Sequence, residues 1–176
     1  VAIGLGGTEE GFPPELFTET FNLAYKDNLH RVPHAGEISG AQSIWSAIKL
    51  LHAERIGHGV RSIEDPGLIE YLRDKQIPLE VCPTSNICLK VYNDYAQHPL
   101  RQLWDAGVLI TLASDDPPMF GTDLNQEYQN LVKYYHFSQE ELEQISLNGI
   151  RSSFLSQGEK QRLVQEFQQE FTSISQ

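Results

Sequence analysis

Short apolar runs alternate with longer amphipathic stretches along the chain, and most of the short runs end on Gly, His, Cys or Asp. Val1 to Leu5 is the first such run; closed by Gly6-Gly7, it reads as a buried strand with its exit turn. Pro14 opens a helical pattern through Phe17, Phe21 and Ala24-Tyr25, in keeping with the preference for proline in a first helical turn. Leu29 to Val32 predicts a second strand, leading into His34. After Ser39, the residues Ile44, Trp45, Ile48 and Leu51 share one face of a helix, with Ser46, Lys49 and His52 off that face. Arg55-Ile56-Gly57 is a third, very short strand ahead of His58. Asp65-Pro66 predicts a helix start with Asp65 as N-cap, carrying Leu68, Ile69 and Leu72. Pro78 to Val81 gives a fourth strand, ending at Cys82-Pro83. His98-Pro99 opens a helix with Leu100, Leu103 and Trp104 that stops at Gly107. Val108 to Leu112 is the fifth strand and ends at Ser114-Asp115-Asp116. The remainder is helical: Leu124 to Tyr135, a segment opened by Ser138 and Glu141 as a capping box, then Glu159 to Phe171.

Strand and helix alternate about five times, which predicts an α/β fold with a parallel sheet and crossover helices. The polar clusters all follow strands, at the carboxyl edge where parallel α/β folds keep their active sites. Five such units do not close an eight-stranded barrel. No Pro/Gly/Ser-rich linker or low-complexity segment divides the chain, so residues 1–176 are expected to form a single domain. The first residue is Val1 and not Met, and we expect the start to be a truncation point.

Composition narrows the function classes. The chain of 176 residues is 40% hydrophobic and 21% charged, as expected of a soluble globular protein. Its formal net charge of -11, with no basic patch, argues against a nucleic-acid or anionic-membrane surface. No apolar run approaches the roughly 18–20 residues needed to cross a bilayer. The cysteines, Cys82 and Cys88, form neither a disulfide framework nor a familiar zinc hook, which favours a reducing, cytoplasmic setting.

The strand-end residues offer several kinds of chemistry. His34 suits zinc through an imidazole nitrogen, although a single strand-end histidine serves equally in a hydrogen bond. Asp115 is a candidate carboxylate ligand and Asp116 a candidate substrate contact; turn formation ahead of Pro117 is the competing role for both. Glu37 suits a general acid whose pKa burial would raise, against the alternative of a first-turn acid favoured by the helix dipole. His58, flanked by Gly57 and Gly59, has open access and suits proton shuttling or stabilisation of an attacking hydroxide, against the alternative of a tight turn that happens to hold a histidine. Cys82 lacks an electropositive neighbour and reads as a buried, inert thiol. Glu80 is a candidate for a barrel interior or for an ion pair. Gly6-Gly7 offers exposed amides to a phosphate or a close approach to a flat ligand, and no Gly-x-x-x-x-Gly-Lys supports triphosphate binding.

Taken together, Leu5-Gly6-Gly7-Thr8-Glu9, His34-Ala35-Gly36-Glu37, Arg55-Ile56-Gly57-His58-Gly59, Leu79 to Asn86 and Ser114-Asp115-Asp116-Pro117 resemble the adenosine/adenine deaminase family of the amidohydrolase superfamily. The resemblance spans essentially the whole chain. It implies a partial (β/α)8 TIM-type barrel, about the last five β/α units, with extra C-terminal helices. It implies Zn2+ as cofactor, with His34 and Asp115 as ligands. By position, Glu37 would protonate purine N1, His58 would orient or stabilise the attacking hydroxide, Asp116 would meet purine N7 and the Gly7 amide would meet N3. The implied reaction is hydrolytic deamination of a 6-aminopurine. Adenosine is favoured by the Leu79 to Asn86 and Phe120-Gly121-Thr122 text, with adenine and aminodeoxyfutalosine as alternatives.

Two departures bear on function. The family's His-x-His metal pair is absent from this sequence, and Thr8 stands where the family often has an acid. A non-catalytic purine-binding module, or another metal-dependent hydrolase, therefore stays open as an alternative. An open half-barrel would also expose sheet edges, and self-association of the chain is expected.

Overall fold

A computed structural model describes residues 1–174. Five strands form one sheet: β1 (Ala2–Leu5), β2 (His30–Ala35), β3 (Ile56–His58), β4 (Leu79–Val81) and β5 (Ile110–Leu112). All neighbours are parallel, and the spatial order is β1-β2-β3-β4-β5, the order of the chain itself. Crossovers between parallel strands are right-handed, so a sheet laid down in sequence order receives all its crossover helices on one face. A doubly wound sheet would instead reverse its order at a switch point. The observed order is that of a barrel wall, with β1 and β5 each paired on one side only.

The crossovers carry α1 (Thr18–Lys26), preceded by a 3-10 turn at Pro14–Phe17, then α2 (Ala41–Leu50), then a 3-10 turn at Val60–Glu64 leading to α3 (Pro66–Lys75). Next come α4 (Pro83–Cys88) and α5 (Leu100–Asp105) between β4 and β5. After β5 follow α6 (Pro117–Phe120), α7 (Leu124–Tyr135), α8 (Gln139–Ser152) and α9 (Gln157–Ile174). The core joins strand residues Ala35, Ile56, Leu79, Val81 and Ile110 to Ile44, Leu68, Leu72, Leu100, Leu103, Leu131 and Ile145 of the helices. Each of the Ile, Leu and Val side chains among them contributes about 1.5–3 kcal/mol by leaving water. Among the described residues, no helix is long and apolar enough to cross a membrane.

Local signals explain several boundaries. The Asp65 carboxylate accepts from the Gly67 and Leu68 amides, capping α3 as its position before Pro66 predicts. Ser138 and Glu141 form the full capping box of α8. The short helices α4 and α6, absent from the sequence expectation, each begin on a proline at the first turn.

Candidate active site

Strand alternation aims the first site residue. Along β2, Arg31, Pro33 and Ala35 are buried while His30, Val32 and His34 are half-buried on the opposite face. His34 thus faces away from the layer that packs Ala35. Its partner in register is Gly57 of β3. A Cβ at Gly57 would lie 2.2 Å from His34 Cδ2, so the imidazole occupies space that only glycine leaves free. The turn that follows is just as restricted: Gly36 has φ 66°, and a Cβ there would meet Ile44 Cδ1 at 2.3 Å.

Glu37 lies in the bend between β2 and α2, ahead of a helix that begins at Ala41. It is therefore not a first-turn acid. The bend is wrapped around the Glu9 carboxylate, which accepts from the amides of Gly36 (2.7 Å), Glu37 (3.2 Å), Ile38 (2.8 Å) and Ser39 (2.8 Å). Ser43 Oγ donates to the same carboxylate at 2.5 Å. The Glu37 side chain is itself buried, and Asn86 Nδ2 donates to its Oε1 at 3.2 Å. Burial raises its pKa to about 7, the charges of Asp115 and Glu9 push the same way, and the Asn86 bond opposes them. A large share of Glu37 thus carries a proton at neutral pH.

His58 and Asp115 sit at the ends of β3 and β5 in left-handed backbone, with φ 61° and 57°. This conformation costs a non-glycine residue roughly 1–2 kcal/mol. Here it recurs at helix ends such as Gln76 and His136, and among the described residues His58 and Asp115 are the two of this kind beside the strand-end cavities. Ser85 Oγ donates to Asp115 Oδ2 at 2.7 Å. His58 is buried, with Nε2 3.9 Å from Asp115 Oδ2 and Nδ1 3.5 Å from Glu37 Oε1. Burial lowers its pKa to about 4, helped by His34 and opposed by Asp115 and Glu9. The ring is uncharged at neutral pH, so these contacts are not ion pairs. The His34 ring stands edge-on to His58 at 4.9 Å between centroids.

His34 borders two cavities. One, of about 310 Å3, is lined by Gly6, Gly7, Thr8, Phe12, Phe17 and Glu37 among others. The second, of about 380 Å3, is lined by His58, Glu80, Cys82 and Asp115 among others. The Gly7 amide loop and Glu37 thus share one space, and the imidazole–carboxylate set shares the next. Asp116 is exposed at the start of α6, and its side chain does not cap that helix. Glu80 combines both roles expected of it: it lines the second cavity and accepts from Arg55 Nε at 2.6 Å.

The donor set fits zinc. His58, Cys82 and Asp115 offer ligand atoms within 4.8 Å of one another, and His34 lines the same cavity. Imidazole and carboxylate are ordinary zinc donors. Among the described residues, Glu37 and Asp115 pair with no Lys or Arg, so a cation there would offset their charge. The tightest set thus contains His58 and Cys82, with His34 beside it. The Cys82 thiol is buried, and burial with Asp115 and Glu80 nearby holds its pKa well above the usual thiol value. As expected from sequence, it is a poor nucleophile.

Four residues of this neighbourhood carried no expected role: Glu9, Ser85, Asn86 and His98. Their bonds span 27 to 30 residues for Glu9 to the bend and 30 for Ser85 to Asp115, which no local pattern encodes. The signals present were the placement of Glu9, Ser85 and Asn86 in strand-end text and of His98 ahead of a proline.

The adenosine deaminase family model matches residues 1–170. The chain belongs to the adenosine deaminase family. It is 45% identical to an aminodeoxyfutalosine deaminase of Streptomyces coelicolor, over 94% of this chain and 43% of the relative. It is also 45% identical to an adenosine deaminase of Klebsiella pneumoniae, over 93% of this chain and 49% of the relative. The crystal structure of adenine deaminase from Arthrobacter aurescens superposes with a TM-score of 0.94 at 38% identity, covering 97% of this chain and 52% of that one. An amidohydrolase from Burkhoderia ambifaria with bound Zn superposes with a TM-score of 0.93 at 27% identity, over 99% of this chain and 50% of that one. The chain thus spans about half the length of the family members it matches, and its sheet is part of a TIM-type barrel.

Proposed function

We propose that this chain supplies the proton-donating half of a zinc-dependent hydrolytic deaminase acting on a 6-aminopurine. The observation that carries the reading is Glu37: a buried carboxyl, raised to about 7, in a cavity bordered by His34 and the Gly6-Gly7 turn. In the reaction, water adds at C6, the C6–N bond breaks, the amino group leaves as ammonia and oxygen remains on the ring carbon. Zinc, when bound, supplies a Lewis acid that activates water at neutral pH. His34 and Asp115 are the ligands we assign to it. Glu37 delivers its proton to ring N1, so electron density drawn from C6 has a place to go. His58, neutral and buried, orients the attacking oxygen. The Gly7 amide meets N3, and Asp116 meets N7.

We place adenosine first among substrates, with adenine and aminodeoxyfutalosine as the alternatives. Family members with these three names match the chain at 44–45% identity, which does not separate them. Ammonia release from each compound, with zinc supplied to the full translated protein, tests the reading. Turnover of at least one is expected, and failure on all three contradicts it.

A second reading is a purine-binding module without catalysis, favoured by the absence of a His-x-His pair from this sequence. Zinc titration of the 176-residue chain separates the two. Tight stoichiometric binding counts against the module. The open edges at β1 and β5 are the surfaces through which the isolated chain would self-associate.

A further inference from the structure

Behind His58 lies a buried row of polar side chains whose hydrogen-bond directions are fixed from its far end. Asn86 in α4 is fully buried, and His98, just ahead of α5, is 3% exposed. The Leu100 backbone N–H can only donate, and it reaches His98 Nδ1 at 3.2 Å. His98 Nδ1 is therefore the bare nitrogen, and the ring proton sits on Nε2. Burial keeps that ring neutral by lowering its pKa to about 3. Nε2 lies 3.1 Å from Asn86 Oδ1 and donates to it. A reversed amide would set N–H against N–H, so this bond also fixes which way Asn86 points.

The two Nδ2 hydrogens of Asn86 then have one acceptor each. Glu37 Oε1 is at 3.2 Å and His58 Nδ1 at 3.3 Å. His58 Nδ1 accepts, and its own proton must occupy Nε2, the nitrogen 3.9 Å from Asp115 Oδ2. We propose that His98, acting through Asn86, is a positioning residue that holds His58 in its Nε2–H tautomer and turns that proton toward Asp115. The same amide occupies Glu37 Oε1, so a proton on Glu37 is carried by Oε2. Every side-chain polar atom of His98 and Asn86, and Nδ1 of His58, is satisfied in this one arrangement, and satisfied buried networks of this kind specify a single state.

The tautomer follows from the hydrogen bonds alone, and its value to catalysis rests on the deaminase reading above. The test is long-range 1H–15N NMR of the histidine rings in the uniformly labelled, metal-free chain near neutral pH. His58 is expected to show a bare Nδ1 and a protonated Nε2, and His98 the same pattern. His98→Leu removes the donor that orients Asn86 and should shift the His58 tautomer ratio about tenfold toward Nδ1–H. His98→Gln, which restores an N–H to Asn86, should return it. Asn86→Asp, which offers no N–H, should place a proton on His58 Nδ1. A protonated Nδ1 on His58 in the parent chain would overturn the proposal, even if the variants fail to fold. So would a folded His98→Leu chain with an unchanged His58 pattern. Absence of purine turnover alongside the expected tautomer would strike the deaminase reading and leave the relay standing.

Discussion

Glu37 and Glu141 share a side chain, and two regions of one molecule drive them in opposite directions. Glu141, in the first turn of α8, accepts from Arg101 Nη1 at 2.9 Å and Nη2 at 2.8 Å, from the Ser138 amide at 2.9 Å and from Trp104 Nε1 at 3.1 Å. The Arg101 bonds, with the Ser138 amide next, hold its carboxyl down at about 2. Glu37 has one side-chain donor, Asn86, and lies largely buried near the charges of Asp115 and Glu9. Its carboxyl rises to about 7. The first arrangement stabilises a charge and has no proton to give near neutrality. The second withholds stabilisation and keeps a proton available. This contrast separates an ion pair that fastens α5 to α8 from a group that can hold and release a proton near neutrality, the property on which the role proposed for Glu37 rests.

Exchanging each acid for its amide breaks the comparison most directly. Glu37→Gln should lower purine turnover by about 10²–10⁴-fold in a steady-state ammonia assay. Glu141→Gln should leave turnover unchanged and cost about 1 kcal/mol in chemical denaturation, the upper end for a partly exposed ion pair. Equal turnover in the two variants would remove the distinction. Gly57→Ala is next in size. Its methyl would collide with His34 Cδ2, and calorimetric zinc affinity should fall about 10–100-fold through misplacement of that ring.

Glu9→Gln sharpens the comparison by removing a charge near the Glu37 carboxyl while leaving the Glu37 side chain in place. Four backbone amides and Ser43 now share a neutral side chain, and stability should drop by about 1–3 kcal/mol in urea unfolding. The Glu9 charge also helps to raise Glu37, so its removal should lower the Glu37 pKa and move the alkaline limb of the rate profile to lower pH.

The smallest effects are in the pH dependence of stability. Glu141 is depressed in the folded state, so its contribution is fully present above the ordinary value of 4.5 and is lost as pH falls toward about 2. Glu37 runs the other way. Between 4.5 and about 7 the unfolded chain ionises it before the folded chain does, so stability falls as pH rises through that window. Denaturation midpoints of the two amide variants, measured across pH, should each lose the corresponding slope.

The sequence pattern carried the five strands, their order of polar endings and the caps at Asp65 and Ser138, because periodicity and capping are local. It also singled out His34, Glu37, His58 and Asp115, which the fold places beside one another at the strand ends, their roles being those proposed above. The capping role of Glu141 was legible, and its clasp by Arg101, 40 residues away, was not. Glu9 shows the same limit: its carboxylate serves a bend 27 to 30 residues on. The alternative role of Glu37 as a first-turn acid fails because the Glu9 clasp holds residues 36–39 in a bend and α2 starts only at Ala41. Which donors stand nearest Asp115 was likewise beyond spacing, since the depth of Cys82 and the backbone at His58 set it.

The central claim is that the chain keeps one carboxyl protonated where its surface keeps another ionised. Carboxyl-carbon NMR titration of the metal-free chain, with Glu37 and Glu141 resolved, measures both at once. The account predicts a Glu37 midpoint near 7 and a Glu141 midpoint near 2. A Glu37 midpoint at the ordinary 4.5 would contradict it.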